Sequence, residues 1–461
     1  MVFTSSFKRL WLMAGLWYVS NGAIALPSSD RPNFVIIITD DQSHRAVGYN
    51  NPEVLTPHID ALAHEGLIFS NAFVSSPVCV ASRASILTGL YPQANGTVAL
   101  DKKSFIDKVV YNKTYRTIAQ LLSADGYKTF FSGKSHLGRP KDYGFQFGDE
   151  TYDHDDKAAF AQAHAFVKDL PDESPFFLWL APRQPHLPLY PAKKILDLYN
   201  RGNIKLDKNF RKKPRAGSIY NQGLPGESFY RDTDYLHNID SLPSGPPRSK
   251  KVMKRFIHAY YATVSNLDDQ IGEFIRTLEQ NGKLDNTVFI FLSDNGYFLG
   301  NHGLGNKLTM HEESVRVPMF IYWKKSAMRI GRTDALISTV DLFPTLLDLA
   351  GIQIPAYLQG QSFREVLFKD VPTRKYVISE SVGVGGVIGS GHRMVRTARW
   401  KYMLSDANEE ALYDLEKDPF EEKNLIRRKE FKSEIQSLRS FYHQWRNQVG
   451  DQKQLPYYHM P

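Results

Sequence analysis

The chain has 461 residues, 42% of them hydrophobic and 23% charged, which fits one large globular domain with a smaller one beside it. Its net charge of +8 is modest, and no basic repeat or zinc framework points to nucleic acid as a partner. A single cysteine, Cys79, excludes an internal disulfide.

The first stretch reads as a secretory signal. Lys8 and Arg9 precede a mainly apolar run, Leu10 to Val19, and Ala23-Ile24-Ala25 offers a small-x-small cleavage site. The run is short for a bilayer span, with an uncleaved anchor as the alternative. Residues 1–25 are therefore expected to be a signal peptide. Export without disulfides points to a periplasmic or secreted bacterial protein. No later stretch is apolar and long enough to span a bilayer, so no stable membrane insertion is expected. Sequons at Asn95 and Asn112 would matter only in a eukaryotic secretory pathway.

Asn33 to Thr39 is a continuous apolar run, expected as a strand buried on both faces. It ends in Asp40-Asp41, a pair that repels itself unless a cation neutralises it, or else lies in a solvated turn. Thr56 to Gly66 reads as a capped helix with Ile59, Leu62 and Ala63 on one face. Pro77 precedes a short helix that starts at Cys79 and closes at Gly89. Cys79 and Arg83 then fall one turn apart on one face. A nucleophile at a helix N-terminus beside a guanidinium suits an anion; a buried structural cysteine is the alternative.

Thr117 to Ala124 is a helix, and Tyr127 to Phe131 a strand leading into Gly133-Lys134-Ser135-His136-Leu137-Gly138. Lys134 and His136 either face one site together or are incidental on a surface loop. Ala158 to Leu170 is helical. Phe176 to Ala181 is a further buried strand, followed by a proline-bounded loop that limits the positions open to His186, a candidate general acid or anion ligand. Arg201 to Lys251 lacks a clear period and carries eleven Lys and Arg against five Asp and Glu. It either lines the site mouth for a polyanionic chain or is a solvated insertion.

Val252 to Asn281 is the longest helix by pattern. Thr287 to Leu292 is a buried strand that ends in Ser293-Asp294-Asn295-Gly296. His302, to which no role can be assigned, then Lys307 and Glu312 to Pro318 follow. Met319 to Trp323 is a strand and Asp341 to Gly351 a helix. From about Pro372 the pattern changes. Short strands are expected over Tyr376 to Ser379, Arg393 to Thr397, Lys401 to Leu404 and Ala411 to Asp414, then a terminal helix over Glu430 to Asn447.

Asp40, Asp41, Lys134, His136, His186, Asp294 and Asn295 all follow expected strands. In a doubly wound α/β sheet, such positions converge at the strands' C-terminal ends. Asp40, Asp41, Asp294 and Asn295 offer oxygen donors only, which suit calcium or magnesium better than zinc.

Cys79-Val80-Ala81-Ser82-Arg83, followed by Leu87-Thr88-Gly89, resembles the signature of the type I, formylglycine-dependent sulfatases, members of the alkaline-phosphatase-like superfamily. The loops at Gly133 to Gly138, Pro185 to Pro188 and Ser293 to Gly296 are similar to further family segments in the same order, as are His302-Gly303, Lys307 and Glu312 to Pro318. Arg399 to Tyr402 and Leu412 to Leu415 resemble the family's C-terminal region. Ala81 stands where most members carry proline, which leaves the maturation route open.

The resemblance implies a doubly wound, mostly parallel sheet of alkaline-phosphatase type over residues 26–372. It also implies a smaller α+β subdomain over 373–461, a short antiparallel sheet plus the terminal helix. A maturation enzyme would convert Cys79 to formylglycine, and one calcium ion would bind Asp40, Asp41, Asp294, Asn295 and the converted Cys79. Arg83 would assist ionisation of the formylglycine hydrate, and Asp294 would accept its proton. Lys134 and Lys307 would stabilise the sulfuryl oxygens, His186 would protonate the leaving alcohol, and His136 would deprotonate the second hydroxyl. Hydrolysis of sulfate esters on a sulfated polysaccharide or its oligosaccharides is expected. The sugar is open among marine galactans, ulvan, fucoidan and glycosaminoglycans. A phosphonate or phosphodiester hydrolase on the same fold, or a non-catalytic glycan-binding protein, is the alternative.

Overall fold

A computed structural model describes residues 31–97, 114–171, 174–214, 249–381, 391–405 and 409–450. The expected signal peptide, the sequon at Asn112 and most of the basic segment lie outside them.

The main strands in chain order are β1 (Asn33–Thr39), β2 (Leu67–Phe73), β3 (Lys128–Gly133), β4 (Phe147–Glu150), β5 (Phe176–Ala181) and β6 (Thr287–Ser293). A small hairpin of β7 (Phe298–Leu299) and β8 (Gly305–Asn306) follows, then β9 (Met319–Tyr322) and β10 (Gly331–Ser338). Without the hairpin these strands form one eight-stranded sheet in the order β10-β2-β9-β6-β1-β5-β3-β4. Only β9 runs antiparallel to its neighbours. The sheet is therefore mostly parallel.

β1 sits near the middle and is buried along its whole length. Its apolar residues alternate between two layers. Phe34, Ile36 and Ile38 pack with residues of the helices Cys79–Thr88, Ile118–Ala124 and Leu342–Leu349. Val35 and Ile37 pack with the helices Pro57–His64, Lys157–Asp169 and Lys250–Gln280. Burial on both faces is why this run lacks the apolar–polar alternation of an antiparallel strand.

Three strands of the large sheet, and the two of the small hairpin, have no counterpart in the sequence reading. β2 carries Ser70 and Asn71 within its apolar run, and β10 opens on exposed Gly331 and Arg332. β4, at the other edge, is mostly exposed, so little of it reads as buried strand.

A second sheet contains β11 (Val377–Ser381), β12 (His392–Arg396), β13 (Trp400–Ser405) and β14 (Glu410–Asp414), all antiparallel in sequence order. The helix Lys432–Gln448 covers it with Ile435, Leu438, Tyr442 and Trp445. No helix among the described residues is long and apolar enough to cross a membrane.

The two sheets meet over a buried charged seam. Lys401 of β13 donates to Glu312 at 2.9 Å and lies 2.8 Å from Glu421. Glu421 also accepts the Glu312 amide at 2.7 Å. Burial and nearby Glu421 push the Glu313 carboxyl up to about 8, and burial pushes Glu421 up to about 7 against the pull of Lys401. A free glutamate titrates at about 4.3, so both groups hold protons more tightly in the folded chain. That stabilisation is complete below the unfolded value and is lost as pH rises through the folded ones. The melting temperature is expected to fall between about pH 5 and pH 8, and less steeply in Glu313→Gln. Thermal unfolding of both proteins across this range checks it; equal slopes would remove Glu313 from the explanation.

Candidate active site

The site is built where β1 and β6 end side by side, in parallel register with Thr39 opposite Ser293. This register brings Asp40-Asp41 next to Asp294-Asn295. The Asp294 amide donates to the Thr39 carbonyl at 2.9 Å, and the Asp41 amide donates to Asp294 Oδ1 at 3.2 Å. Asn295 Nδ2 donates to Asp41 Oδ1 at 2.7 Å. Asp41 has φ 63, a left-handed backbone that turns its carboxylate back over the strand end. Tyr260, from the long helix, holds that turn: its hydroxyl donates to the Asp41 carbonyl at 2.5 Å and accepts the Ser43 amide at 2.9 Å.

Cys79 is the first residue of its helix, and Gly89 closes that helix at φ 64. Arg83, one turn on, donates through Nε to Asp294 Oδ2 at 2.7 Å and through Nη1 to the Lys134 carbonyl at 2.7 Å. Lys134 Nζ in turn donates to Asp40. Lys307 Nζ donates to Asp41 and, at 2.7 Å, to Cys79 Sγ. Each of the three carboxylates thus has a cation from a different part of the chain. Asp40, Asp41 and Cys79 offer ligand atoms within 4.8 Å of one another.

His186 lies on the β5 loop with Nε2 3.8 Å from Asp41 Oδ2. Its Nδ1 is 2.5 Å from the Leu187 carbonyl, so Nδ1 carries the hydrogen and Nε2 faces the cluster. His136 adopts φ 62, and its Nδ1 is buried with no hydrogen-bond partner. All ten residues singled out from the sequence therefore gather at one end of the sheet. His302 is elsewhere. Its ring stacks on His311 at 4.1 Å, and its Nε2 is 3.1 Å from Asn209 Nδ2. Of the basic segment, Arg211 is ion-paired with Glu422.

Electrostatics follow from burial and pairing. Burial pushes Asp40 up, but Lys134, His186, Arg83 and Lys307 together hold it well below the usual carboxylate range. Burial and Asp40 push Asp294 up to about 6 despite Arg83. Burial lowers Lys307, yet Asp41, Cys79, Asp40 and Asp294 raise it well above the usual ammonium value. Burial pushes the Cys79 thiol up to about 12, against the pull of Lys134 and Lys307. Burial also pushes His186 down to about 4, and burial with Lys134 holds His136 well below its ordinary value.

The oxygen-rich set fits a hard cation. Asp40 Oδ1 and Asn295 Oδ1 are buried and have no hydrogen-bond partner. Orphaned buried oxygens of this kind are unfavourable unless a cation or solvent meets them.

Two further acids touch this site, and the sequence reading does not single them out. Glu150 Oε1 accepts the amides of Ser135 and His136 at 2.8 and 3.0 Å. Asp156 accepts the amides of Arg183 and Gln184 at 2.7 and 3.0 Å, one on each oxygen. Their only sequence signal is the acidic run from Asp149 to Asp156 at a strand's end.

A family model described as Sulfatase matches residues 32–352. The chain belongs to the sulfatase family. It is a sulfuric ester hydrolase. A second model, N-sulphoglucosamine sulphohydrolase, C-terminal, matches residues 300–448. An arylsulfatase of Clostridium perfringens is 31% identical, over 89% of this chain and 93% of that protein. The N-acetylglucosamine-6-O-sulfatase of Bacteroides thetaiotaomicron is 28% identical, over 91% of this chain and 87% of its own length. The solved structure of BT4656 in complex with its substrate D-glucosamine-2-N,6-O-disulfate is similar with a TM-score of 0.80. It is 25% identical and covers 92% of this chain and 99% of that one.

Within this sulfatase the Arg83–Asp294 pair has side chains only 1% and 0% exposed. Removing one partner of a buried pair costs about 3–5 kcal/mol. Arg83→Ala is therefore expected to lower unfolding stability by about that amount and to abolish activity. Adding Asp294→Ala should restore part of the stability but none of the activity. Urea unfolding beside sulfate-release assays checks both outcomes.

Proposed function

We propose that this sulfatase is exported and removes sulfate from a sulfated polysaccharide or its oligosaccharides, using formylglycine made from Cys79 and one calcium ion. Residues 1–25 would be its signal peptide, 26–372 its catalytic domain and 373–461 a C-terminal subdomain. A periplasmic or secreted location and a formylglycine-generating maturation enzyme belong to the same reading. The observation that carries it is Lys307, whose ammonium donates to both Asp41 and Cys79. The nucleophile position, a carboxylate metal donor and a sulfate-binding cation are thereby one cluster. Among its relatives, one is named for an N-acetylglucosamine sulfate and one holds a glucosamine disulfate, which favours a sulfated sugar.

Calcium, held by Asp40, Asp41, Asp294 and Asn295, would neutralise the carboxylates and polarise a sulfuryl oxygen. Formylglycine would supply the attacking hydroxyl. The chain's own side chains do the rest. Arg83 holds Asp294 in place, and Asp294, raised by burial, accepts the hydroxyl proton. Lys134 and Lys307 turn from their carboxylates to the sulfuryl oxygens, where charge develops. His186 is neutral in the free protein, because burial disfavours its cation. An anionic ester beside it favours the cation, so a proton enters with substrate and is given to the leaving oxygen as the S–O bond breaks. His136, neutral through burial, accepts the proton whose loss frees the sulfate.

In active protein from its native host, the peptide bearing residue 79 should carry an aldehyde that reacts with a hydrazide. Calcium removal should lower turnover of an aryl sulfate by at least about a hundredfold, a loss reversed by calcium. Mass spectrometry and chelation assays test these; an intact thiol in fully active protein would refute the mechanism.

A further inference from the structure

The two histidine loops leave neighbouring strands. The His186 loop follows β5 and the Lys134–His136 loop follows β3, with β4 next in the sheet. The connection from the end of β4 to the helix Lys157–Asp169 meets both. Glu150 stands at its start and Asp156 at its end. We propose that these two acids are positioning residues, which set the proton-transfer histidines through the backbone amides of their loops. This role rests on the assignments of His136 and His186 given above.

Each acid takes two consecutive amides, the arrangement by which a short turn grips an anion. Bonds from amides to an ionised carboxylate are charge-assisted and hold geometry more firmly than neutral ones. Burial pushes Asp156 up to about 7, so its grip is firmest above that pH. The gripped amides are close to the chemistry. One belongs to His136 itself. On the other loop, the amide of His186 donates at 2.7 Å to the carbonyl of Arg183, whose own amide is held by Asp156. The same turn is fixed from two more sides. Gln184 Oε1 accepts from Asn266 at 3.0 Å, and the Gln184 carbonyl accepts the Asp40 amide at 3.4 Å. Asp156 is fully buried with φ 60 and spends both oxygens on this loop, so it serves no surface function.

The two grips differ in a way that can be tested. Glu150 uses one oxygen for both amides, and its other oxygen accepts the Tyr152 hydroxyl at 2.9 Å. A glutamine keeps an oxygen for both amides, and its NH2 can donate to the same hydroxyl. Asp156 uses a different oxygen for each amide. An asparagine must present NH2 to one of them and loses that half of the grip.

A displaced His186 protonates the leaving group poorly. That matters little for a weakly basic leaving group and much for a strongly basic one. The test compares kcat on 4-nitrophenyl sulfate and on phenyl sulfate. Asp156→Asn is expected to lose about tenfold more on phenyl sulfate than on the nitro ester. Glu150→Ala disturbs the base, which acts after the leaving group has gone, and is expected to lower kcat and KM together by about tenfold on both esters, with kcat/KM within about threefold. Glu150→Gln should recover most of that loss. A partly folded preparation lowers kcat alone, leaving KM and the ratio between the two esters unchanged, so it reproduces neither outcome. Equal losses on both esters for Asp156→Asn, or no recovery with Glu150→Gln, would overturn the proposal. His186→Ala is the control. If it shows the leaving-group effect and Asp156→Asn does not, the positioning role alone has failed. If neither shows it, the acid assignment has failed and the role of Asp156 with it.

Discussion

Three carboxylates buried at adjacent strand ends are the constraint on which the rest of the site depends. Asp40, Asp41 and Asp294 are almost wholly removed from solvent. Like charges this close in a poorly solvated interior repel strongly unless each is compensated. The parallel pairing of β1 with β6 makes the proximity unavoidable, since it places both strand tips in register. Compensation therefore comes from elsewhere in the chain: Lys134 from the β3 loop, Arg83 from the Cys79 helix and Lys307 just beyond β8. Each cation fixes the position of its own segment in the act of pairing. The charged cluster is thus a tertiary junction as well as a candidate active site.

The second sheet takes part in this junction indirectly. The stretch between β2 and Cys79 has no regular structure of its own, yet it sets where the Cys79 helix begins. Glu380 of β11 donates its amide to the Ser75 carbonyl at 2.8 Å, and Ser379 of the same strand donates its hydroxyl to Val74. Glu380 also accepts the amide of Gln93, just beyond the helix, at 3.1 Å. β11 therefore supports the Cys79 helix before its start and after its end. The Lys401 seam anchors the same sheet to the Glu312 segment. A disturbance of the C-terminal sheet would reach Cys79 through these contacts.

What was legible in the sequence was the local chemistry. A buried strand that ends in Asp-Asp or in Asp-Asn leaves a pattern within a few residues, and so does a cysteine at a helix start with an arginine one turn later. Glu150 and Asp156 leave only an acidic run that names no partner, because their partners are backbone amides, which every residue possesses, on loops 14 to 28 residues away. Tyr260 is hidden for a related reason. On a helix rich in buried aromatics it looks like core, and only its hydroxyl, on the Asp41 turn, is distinctive. The pairing of His302 with Asn209 joins stretches 93 residues apart. β2 and β10 were missed because polar residues interrupt β2 and open β10, so neither run carries a clear period.

The state of Cys79 ties these threads together. A cysteine at a helix N-terminus beside two ammonium groups would ordinarily lose its proton easily. Here burial outweighs the cations, and the thiol is held up to about 12. Asp40 and Asp294 act in the same direction, because a thiolate between them would add a further negative charge. The same acidic neighbours that suit a calcium ion thus make the place unfavourable for thiolate chemistry. The oxygen nucleophile proposed above, with its proton passed to Asp294, would avoid that conflict, since its charge would be created only as it is passed to sulfur. The carboxylates and the cations that compensate them are then consequences of one arrangement, two strands that end together in acids, and the proposed conversion of Cys79 would fit it.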